Sequence, residues 1–523
     1  MLSSRPLAEP SLRVTPLRFI VASLLASLGA ALTAQTIPSG LRWKDIPSAT
    51  DPTATEIGSE TDAGYGNNQY YQWSPLSTVL ARECNLIQPT FYSHWNSPGV
   101  DTYTITNLNT WTSWAGPNGK KLLVHFPLGP DSYMPPWLAT NSYTPDQLKT
   151  HLDSLINQVI TGNGNAAKVD IWNVVNEPFN AFSDVPNGLN VKDYRPDSRC
   201  VLNALGWEDD LSGLTGTDKI HPQHPKYIRY ILDRARTASG STAGKILELR
   251  ENGMETDPNS DRAKAYYQLA LHLVKSGAQL DAVGLQCHFS WDINTPPNLT
   301  GFKQLVTKFK AIGLRVYVNE LDIVLTGAGM VYNDANYQNV QKQRYYIFVK
   351  ACREVGVDMI CSWGLSDASS WQTSRPPLYD QISKYPLFFT GDDYNTAKPS
   401  YYGVQYSLVD TSKFYIRARG TAGGERMELL VDGVSVATWY LSKELTDYCY
   451  TGSYTGVHNI RIAFTNDGLS LTGKDKNILL DRISINGLVK EAEYFPNSAG
   501  SVTGGYQGIW SNGYVDFGWA AGY

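Results

Sequence analysis

Cysteine is scarce in this chain, with six among 523 residues: Cys84, Cys200, Cys287, Cys352, Cys361 and Cys449. None forms a Cys-x-x-Cys pair and no metal-ligand spacing links them, which removes cysteine-based metal and redox motifs. Cys84 and Cys287 fall in strand-like stretches and read as buried thiols. Charge is sparse as well, at 18%, with a formal net charge of −5 and no basic run. That balance argues against a nucleic-acid partner and is compatible with a neutral polymer. Beyond the first 34 residues no stretch is apolar for long enough to span a bilayer.

What the chain does have is aromatic: 14 Trp, 32 Tyr and 15 Phe. Most such rings serve as packing, but this excess at modest charge also suits proteins that stack against sugars. Residues 1–34 carry Arg5, Arg13 and Arg18 ahead of an apolar run opening at Phe19. Small residues around Gly29, Ala31 and Ala34 follow, the pattern of a cleaved export signal. Its loss would remove three Arg and one Glu and take the net charge from −5 to −7. The expected product is secreted, free of the membrane and monomeric.

After a proline-punctuated lead-in over 35–50, short apolar segments recur at intervals long enough to hold a helix. They are Ala54–Gly58, Asn85–Gln88, Lys121–Phe126, Val169–Val175, Lys245–Leu249, Ala282–Gln286, Val316–Val318 and Met359–Trp363. Between them lie helical patterns, one opening at Thr144-Pro145-Asp146 and running through Leu148, Leu152, Leu155, Ile156 and Val159. Others run from Pro225 to Ala235 and from Ala263 to Val274. Eight strands alternating with helices predict an α/β fold, a (β/α)8 TIM barrel over 51–406. Near Tyr406 the pattern changes to short alternating strands with glycine turns, and no Ser/Gly-rich linker intervenes. Residues 412–523 are therefore expected to form an all-β, jelly-roll-like β-sandwich.

In a barrel the chemistry sits at the C-terminal strand ends. The polar and aromatic residues there are His125, Asn176, Glu177, Asn252, Gln286, His288, Glu320, Trp363 and Asp367. Glu177 ends strand 4 and Glu320 ends strand 7. Cleaving a glycosidic bond needs one carboxyl group to protonate the departing oxygen, and a second to attack the anomeric carbon or activate water. Asn176 can hydrogen-bond a sugar 2-hydroxyl. His288, at the end of strand 6 with Gln286 on the same face, can orient Glu320 as nucleophile.

The stretch Trp172-Asn173-Val174-Val175-Asn176-Glu177 resembles the acid/base motif of glycoside hydrolase family 10, the retaining β-1,4-xylanases. Asn319-Glu320-Leu321-Asp322-Ile323 is similar to its nucleophile motif. Val283 to Phe289 resembles its strand 6, Ser362 to Asp367 with Ser370-Trp371 its strand 8, and Pro386 to Tyr402 its closing segment. The resemblance implies a two-step retaining mechanism without a cofactor, with Glu177 as acid/base and Glu320 as nucleophile, about 5–5.5 Å apart. His125, Asn252, Gln286, His288, Trp363 and Trp371 would join Asn176 around the substrate. The chain departs from the family after strand 2, where a Glu-Asn pair and a Lys give way to Thr90-Phe91-Tyr92-Ser93-His94-Trp95. After strand 3 His125 remains, but Phe126 to Asp131 lacks the Trp-His pair. On strand 5 only Asn252 of the polar run is kept, beside Leu249-Arg250-Glu251. These departures predict altered subsite dependence, as for a decorated xylan.

In the C-terminal region acidic residues lie in glycine-rich turns, a setting that suits calcium. The stretch resembles carbohydrate-binding module family 60, which binds xylan through calcium. By that resemblance Glu425, Asp467 and Asp475 would supply side-chain ligands, with sugar hydroxyls completing the shell. Trp510 and Trp439 are the stacking candidates. The family often has a disulfide here, whereas this module has Cys449 alone. The reading is a secreted endo-xylanase targeted to xylan by its module. The alternatives are a retaining hydrolase of another or heavily decorated β-glycan or oligosaccharide, and a non-catalytic glycan-binding protein.

Overall fold

The computed structural model describes residues 43–44, 56–61, 73–240, 244–327, 331, 334–371, 385–391, 394–408, 412–452, 454, 457–485 and 488–521. The expected export segment lies outside these residues. Among the described residues no helix is long and apolar enough to cross a membrane.

Eight parallel strands close on themselves: β1 (Glu56–Glu60), β2 (Leu86–Gln88), β3 (Lys121–Leu128), β4 (Ile171–Asn176), β5 (Ile246–Glu251), β6 (Ala282–Leu285), β7 (Arg315–Thr326) and β8 (Met359–Ser362). Each pairs with its sequence neighbours, and β8 pairs with β1 to complete the barrel. A helix follows every strand: α1 (Trp73–Glu83), α2 (Thr106–Ala115), α3 (Pro145–Thr161), α4 (Lys226–Ser239), α5 (Asp261–Lys275), α6 (Thr300–Ala311), α7 (Ala335–Glu354) and α8 (Pro399–Ser407). The start of α3 shows why these segments fold locally. Thr144 accepts the Gln147 N–H while the Gln147 side chain accepts the Thr144 N–H, and Pro145 occupies the first turn. That reciprocal cap contributes about 1 kcal/mol. The spacing of Leu148, Leu152, Leu155, Ile156 and Val159 then buries one face against the sheet.

The barrel interior is layered. Leu86, Leu123, Ile171, Ile246, Ala282, Tyr317, Met359 and Cys361 form an apolar plug. Two residues further along five of these strands the same inward face becomes polar: Gln88, His125, Asn173, Glu248 and Asn319, all buried. Side chains on this face either pack or carry the site, because water does not reach them.

Three features differ from expectation. Cys84 follows α1 directly, and Cys287 sits at a break between β6 and a separate strand, His288–Asp292; neither lies in a strand, though both thiols are buried. Burial pushes the Cys84 thiol up to about 12. Strand β7 runs to Thr326, past the polar Asn319-Glu320 pair, because His288–Asp292 pairs with its second half. Trp43, within the segment expected as lead-in, is buried against Phe388 and Tyr401 in the barrel core.

The C-terminal region forms two antiparallel sheets. One has Thr446–Gly452, Ser412–Gly420, Ile478–Ile485, Tyr506–Ile509 and Gly500–Thr503 in spatial order, with Leu488–Glu491 beside Ile478–Ile485. The other orders Val434–Tyr440, Arg426–Val431, Val457–Phe464 and Gly513–Ala521. Alternate residues such as Phe414, Ile416, Met427, Leu429, Ile462, Ile483, Val515 and Phe517 fill one shared core.

Candidate active site

Glu177 follows the last residue of β4 with a φ of 51°, a left-handed conformation uncommon for glutamate. The barrel holds it there. Its N–H donates to the Arg250 carbonyl at 3.0 Å, and its carbonyl accepts from Arg195 Nε at 3.3 Å. The turn aims the carboxylate at Gln286 Nε2, 2.8 Å from Oε1, and toward Arg195 Nη2, 3.5 Å from Oε2. Asn176 donates to the Tyr133 hydroxyl at 3.0 Å. Burial, then the nearby Glu177 charge, push the Tyr133 phenol well above its ordinary range, so it stays a neutral partner.

Glu320 lies mid-strand in β7, with its side chain 6% exposed. Arg250 Nη1 donates to Oε1 at 2.8 Å, and His288 Nε2 approaches Oε2 at 3.0 Å. The second nitrogen of His288 stands 3.0 Å from Asp322, which also accepts from Trp371 Nε1 at 2.7 Å. Burial alone would lower the imidazole, but the Asp322 charge and the hydrogen bonds to Asp322 and Glu320 outweigh it and raise it to about 10. The ring is therefore a cation between two carboxylates.

Gln286 and His288 reach different carboxylates although they are two residues apart. On a continuous strand they would share one face. Cys287, at a φ of 62° with its N–H on Glu255, splits them, sending Gln286 to Glu177 and His288 to Glu320.

The remaining expected site residues are placed as follows. His125 is buried beneath the site, with Nδ1 2.6 Å from Asn173 Oδ1; burial and the Arg250 charge hold it neutral. Trp363 packs edge-on against His125 and His288, and Trp371 lies 4.8 Å from the His288 ring. Asn252 joins the framework through its backbone, accepting from Arg262 at 2.6 Å and donating to Glu251 at 2.9 Å. Asp367 pairs with Lys398 at 2.7 Å and accepts the Leu387 N–H at 2.8 Å.

Sequence reasoning passed over Arg250, Glu248, Tyr133 and Arg195. Glu248 and Arg250 did leave a signal: two opposite charges at i and i+2 on one face of a buried strand, where a buried charge requires a partner. Tyr133 and Arg195 sit in loops, and nothing local marked them. Tyr133 stacks parallel to Tyr92 at 6.2 Å, and Tyr92 meets Trp95 at 4.6 Å, so an aromatic group fills the region after β2 and β3.

Arg195 is positioned by the long segment between β4 and α4. Its neighbour Tyr194 hydrogen-bonds His224 Nδ1 at 2.5 Å, and His224 Nε2 donates to Asp210 at 3.0 Å. Burial pushes His224 down to about 4, so it serves as a neutral link. Nearby, His272 Nδ1 accepts the Leu211 N–H and Nε2 donates to Glu208. Asp210, His224 and His272 are the sole three-residue group of metal-ligating type among the described residues. Their nitrogens are already used by these hydrogen bonds.

In the C-terminal region Glu425 is fully buried. Its Oε1 accepts the Ala422 N–H at 2.6 Å, while Oε2 has no hydrogen-bond partner among the described residues. Asn477 Oδ1 is in the same condition. Thr421 links the two regions, donating to the Asp475 carbonyl and accepting the Asn477 N–H, both at 2.9 Å. Gly420 makes room for the carboxylate: a Cβ there would stand 1.7 Å from Glu425 Oε2. Asp467 and Asp475 are exposed in the loop between Val457–Phe464 and Ile478–Ile485. Trp510 is 37% exposed, with its Nε1 on Ser501, whereas Trp439 is partly buried against the core.

Comparison with known proteins gives this geometry a context. The sequence model of glycosyl hydrolase family 10 matches residues 49–407, and that of a Ca-dependent, xylan-binding carbohydrate-binding module, CBM60, matches residues 413–499. The chain is 26% identical over 384 residues to endo-1,4-beta-xylanase A of Cellvibrio japonicus, covering 67% of this chain and 55% of that protein. Identity to endo-1,4-beta-xylanase A of Thermoanaerobacterium saccharolyticum is 26% over 269 residues, covering 51% of this chain and 18% of that one. The chain thus spans about half or less of these relatives' lengths. A thermostable mutant of xylanase Xyn10A from Cellvibrio japonicus superposes with a TM-score of 0.53 at 24% identity, covering 69% of this chain and 99% of the other. Xylanase 10B from Thermotoga petrophila in complex with xylobiose gives 0.54 at 20%, covering 71% and 98%. At these identities the superpositions show the shared barrel.

Proposed function

Because the chain belongs to glycosyl hydrolase family 10, we propose that it is a retaining endo-β-1,4-xylanase with Glu177 as acid/base and Glu320 as nucleophile. One observation carries the assignment: Arg250 touches both groups, its carbonyl accepting from the Glu177 N–H and its guanidinium donating to Glu320. Two glutamates from different strands therefore share one polar site, as glycosidic cleavage requires. The roles follow from the surroundings. Glu320 lies between two cationic donors, which suits a group that acts as an anion. Glu177 has its side chain 21% exposed, neutral Gln286 at 2.8 Å, neutral Tyr133 nearby and, among the described residues, a single cation, Arg195, at 3.5 Å. This more open and less charged setting suits a group that cycles a proton.

The C-terminal region is read as the xylan-targeting module, with calcium held by Glu425 and by Asp467 and Asp475. The unpartnered oxygen of buried Glu425 supports this reading, since an unpaired buried carboxylate oxygen is costly without a cation. The basic and then apolar N-terminal segment supports export, and the enzyme is read as secreted.

A second reading, cleavage of decorated xylan, is favoured by the aromatic group of Tyr92, Trp95 and Tyr133 where the family places polar side chains. Chromatography of products from plain and substituted xylans and other β-glycans tests both readings. Faster cleavage of substituted xylan supports the second, and identical profiles on both substrates overturn it. No turnover of any β-glycan would leave a glycan-binding protein.

A further inference from the structure

We infer that Arg250 is a positioning residue that sets the balance between the two halves of the reaction, an inference that rests on the retaining mechanism proposed above. The side chain is fully buried. Its planar fork spends Nε and Nη2 on Glu248, at 2.8 and 3.3 Å, and places Nη1 2.8 Å from Glu320 Oε1, with the neutral His125 Nδ1 3.1 Å from the same nitrogen. Gln88 accepts from Nη2 at 3.2 Å, and Asn319 holds Glu248 in turn. Gly284 leaves space for that pair: a Cβ there would stand 2.0 Å from Glu248 and 2.2 Å from Asn319. Residues of β2, β5, β6 and β7 therefore fix one guanidinium hydrogen bond on the nucleophile, opposite the one from His288.

Charge-assisted donors on both oxygens withdraw electron density from the carboxylate. They make it a poorer nucleophile and a better leaving group. In the first half, a Glu320 oxygen forms a bond to the anomeric carbon. The bond to the departing oxygen breaks with its electron pair, and that oxygen takes the proton of Glu177. In the second half, a water oxygen bonds to the anomeric carbon and gives its proton to Glu177. The electron pair of the glycosyl–Glu320 bond returns to the carboxylate, where Arg250 and His288 receive the charge. Arg250 therefore favours the second half, and the covalent intermediate does not accumulate.

The test uses the full-length protein and an aryl β-xylobioside followed by stopped flow. The wild type is expected to release aglycone without a burst. Glu248→Gln combined with Arg250→Met removes both members of the buried pair, so that neither charge is stranded. This variant is expected to show a burst approaching one equivalent, with kcat falling at least about ten-fold and KM falling with it. Arg250→Lys, which keeps the charge, is expected to show a smaller burst. Folded variants with no burst, and with kcat and kcat/KM reduced in equal proportion, would overturn the inference. Mass spectrometry after treatment with a 2-deoxy-2-fluoro-xylobioside separates the two levels. Failure of the wild type to carry the label on Glu320 overturns the retaining reading itself, whereas labelling without a burst in the variants overturns the role of Arg250 alone.

Discussion

The polar centre of the barrel and the acidic loops of the C-terminal module handle buried charge in opposite ways. In the barrel, Glu248, Arg250, Glu320, His288 and Asp322 are joined by hydrogen bonds and ion pairs of 2.8–3.3 Å, each carboxylate facing a cation, although Asp322 Oδ1 has no hydrogen-bond partner among the described residues. In the module, Glu425 is buried with one oxygen unpartnered among the described residues, and the other two acidic candidates are exposed in a loop. A site that must place a reacting atom gains from carrying its partners within the protein, because nothing then rearranges at the moment of reaction. A site that binds through an ion leaves its acceptors open. The contrast makes the two regions separable by experiment.

The largest effect is expected from Glu320→Ala. Turnover should fall by on the order of 10⁴-fold or more, as for removal of a nucleophile, while retention on a xylan affinity gel stays unchanged. Chelation is the converse: gel retention should be lost and hydrolysis of an aryl xylobioside kept. Retention that survives chelation would break the comparison by removing calcium from the module.

Next come two matched glycine substitutions, each adding a Cβ against a buried carboxylate. Gly284→Ala displaces Glu248 from a paired network and should destabilise the barrel by about 3 kcal/mol in denaturant titration. Gly420→Ala displaces Glu425 and should act mainly on calcium affinity, read by calorimetry, with a smaller loss of stability.

The smallest effect within the ordinary pH range is that of His288. Its folded value, about 10, lies above the ordinary 6.5. A raised value means that its contribution to stability is complete below about 6.5 and is lost as the pH rises through about 10. Melting temperature should therefore fall on the alkaline side more steeply in the wild type than in His288→Gln, and equal slopes would remove the charged imidazole from the account.

Much of the barrel was legible because its strands are apolar on both faces and its helices carry their own start signals, as at Thr144-Pro145. The two glutamates were legible because each follows a short apolar stretch, Val174-Val175 before Asn176-Glu177 and Val316 to Val318 before Asn319-Glu320. The partners of the nucleophile were not. Arg250 interrupts an apolar strand and reads as a loss of the expected polar run, and only the closed barrel brings it to Glu320, 70 positions away. The length of β7 was hidden for a related reason. Asn319, Glu320 and Asp322 look like a strand ending at the surface, yet each is buried inside the barrel and held there by a polar partner: Glu248, Arg250 and Trp371 in turn. The left-handed turns at Glu177 and Cys287 have no local signature, since neither residue type favours that conformation.

The uninterrupted run of β7 has a consequence for how the protein loses activity on heating. Before Glu320 the strand pairs with β6 and β8, and after it with His288–Asp292. The Glu320 amide itself donates to the Gln286 carbonyl. Fraying from either end must therefore undo several paired residues before it reaches the nucleophile. Amide hydrogen exchange around Glu320 should occur only through global opening, while the segment carrying Arg195 exchanges through smaller local openings. Inactivation by mild heat would then begin with the proton donor's surroundings, and the nucleophile's scaffold would be the last part of the site to melt.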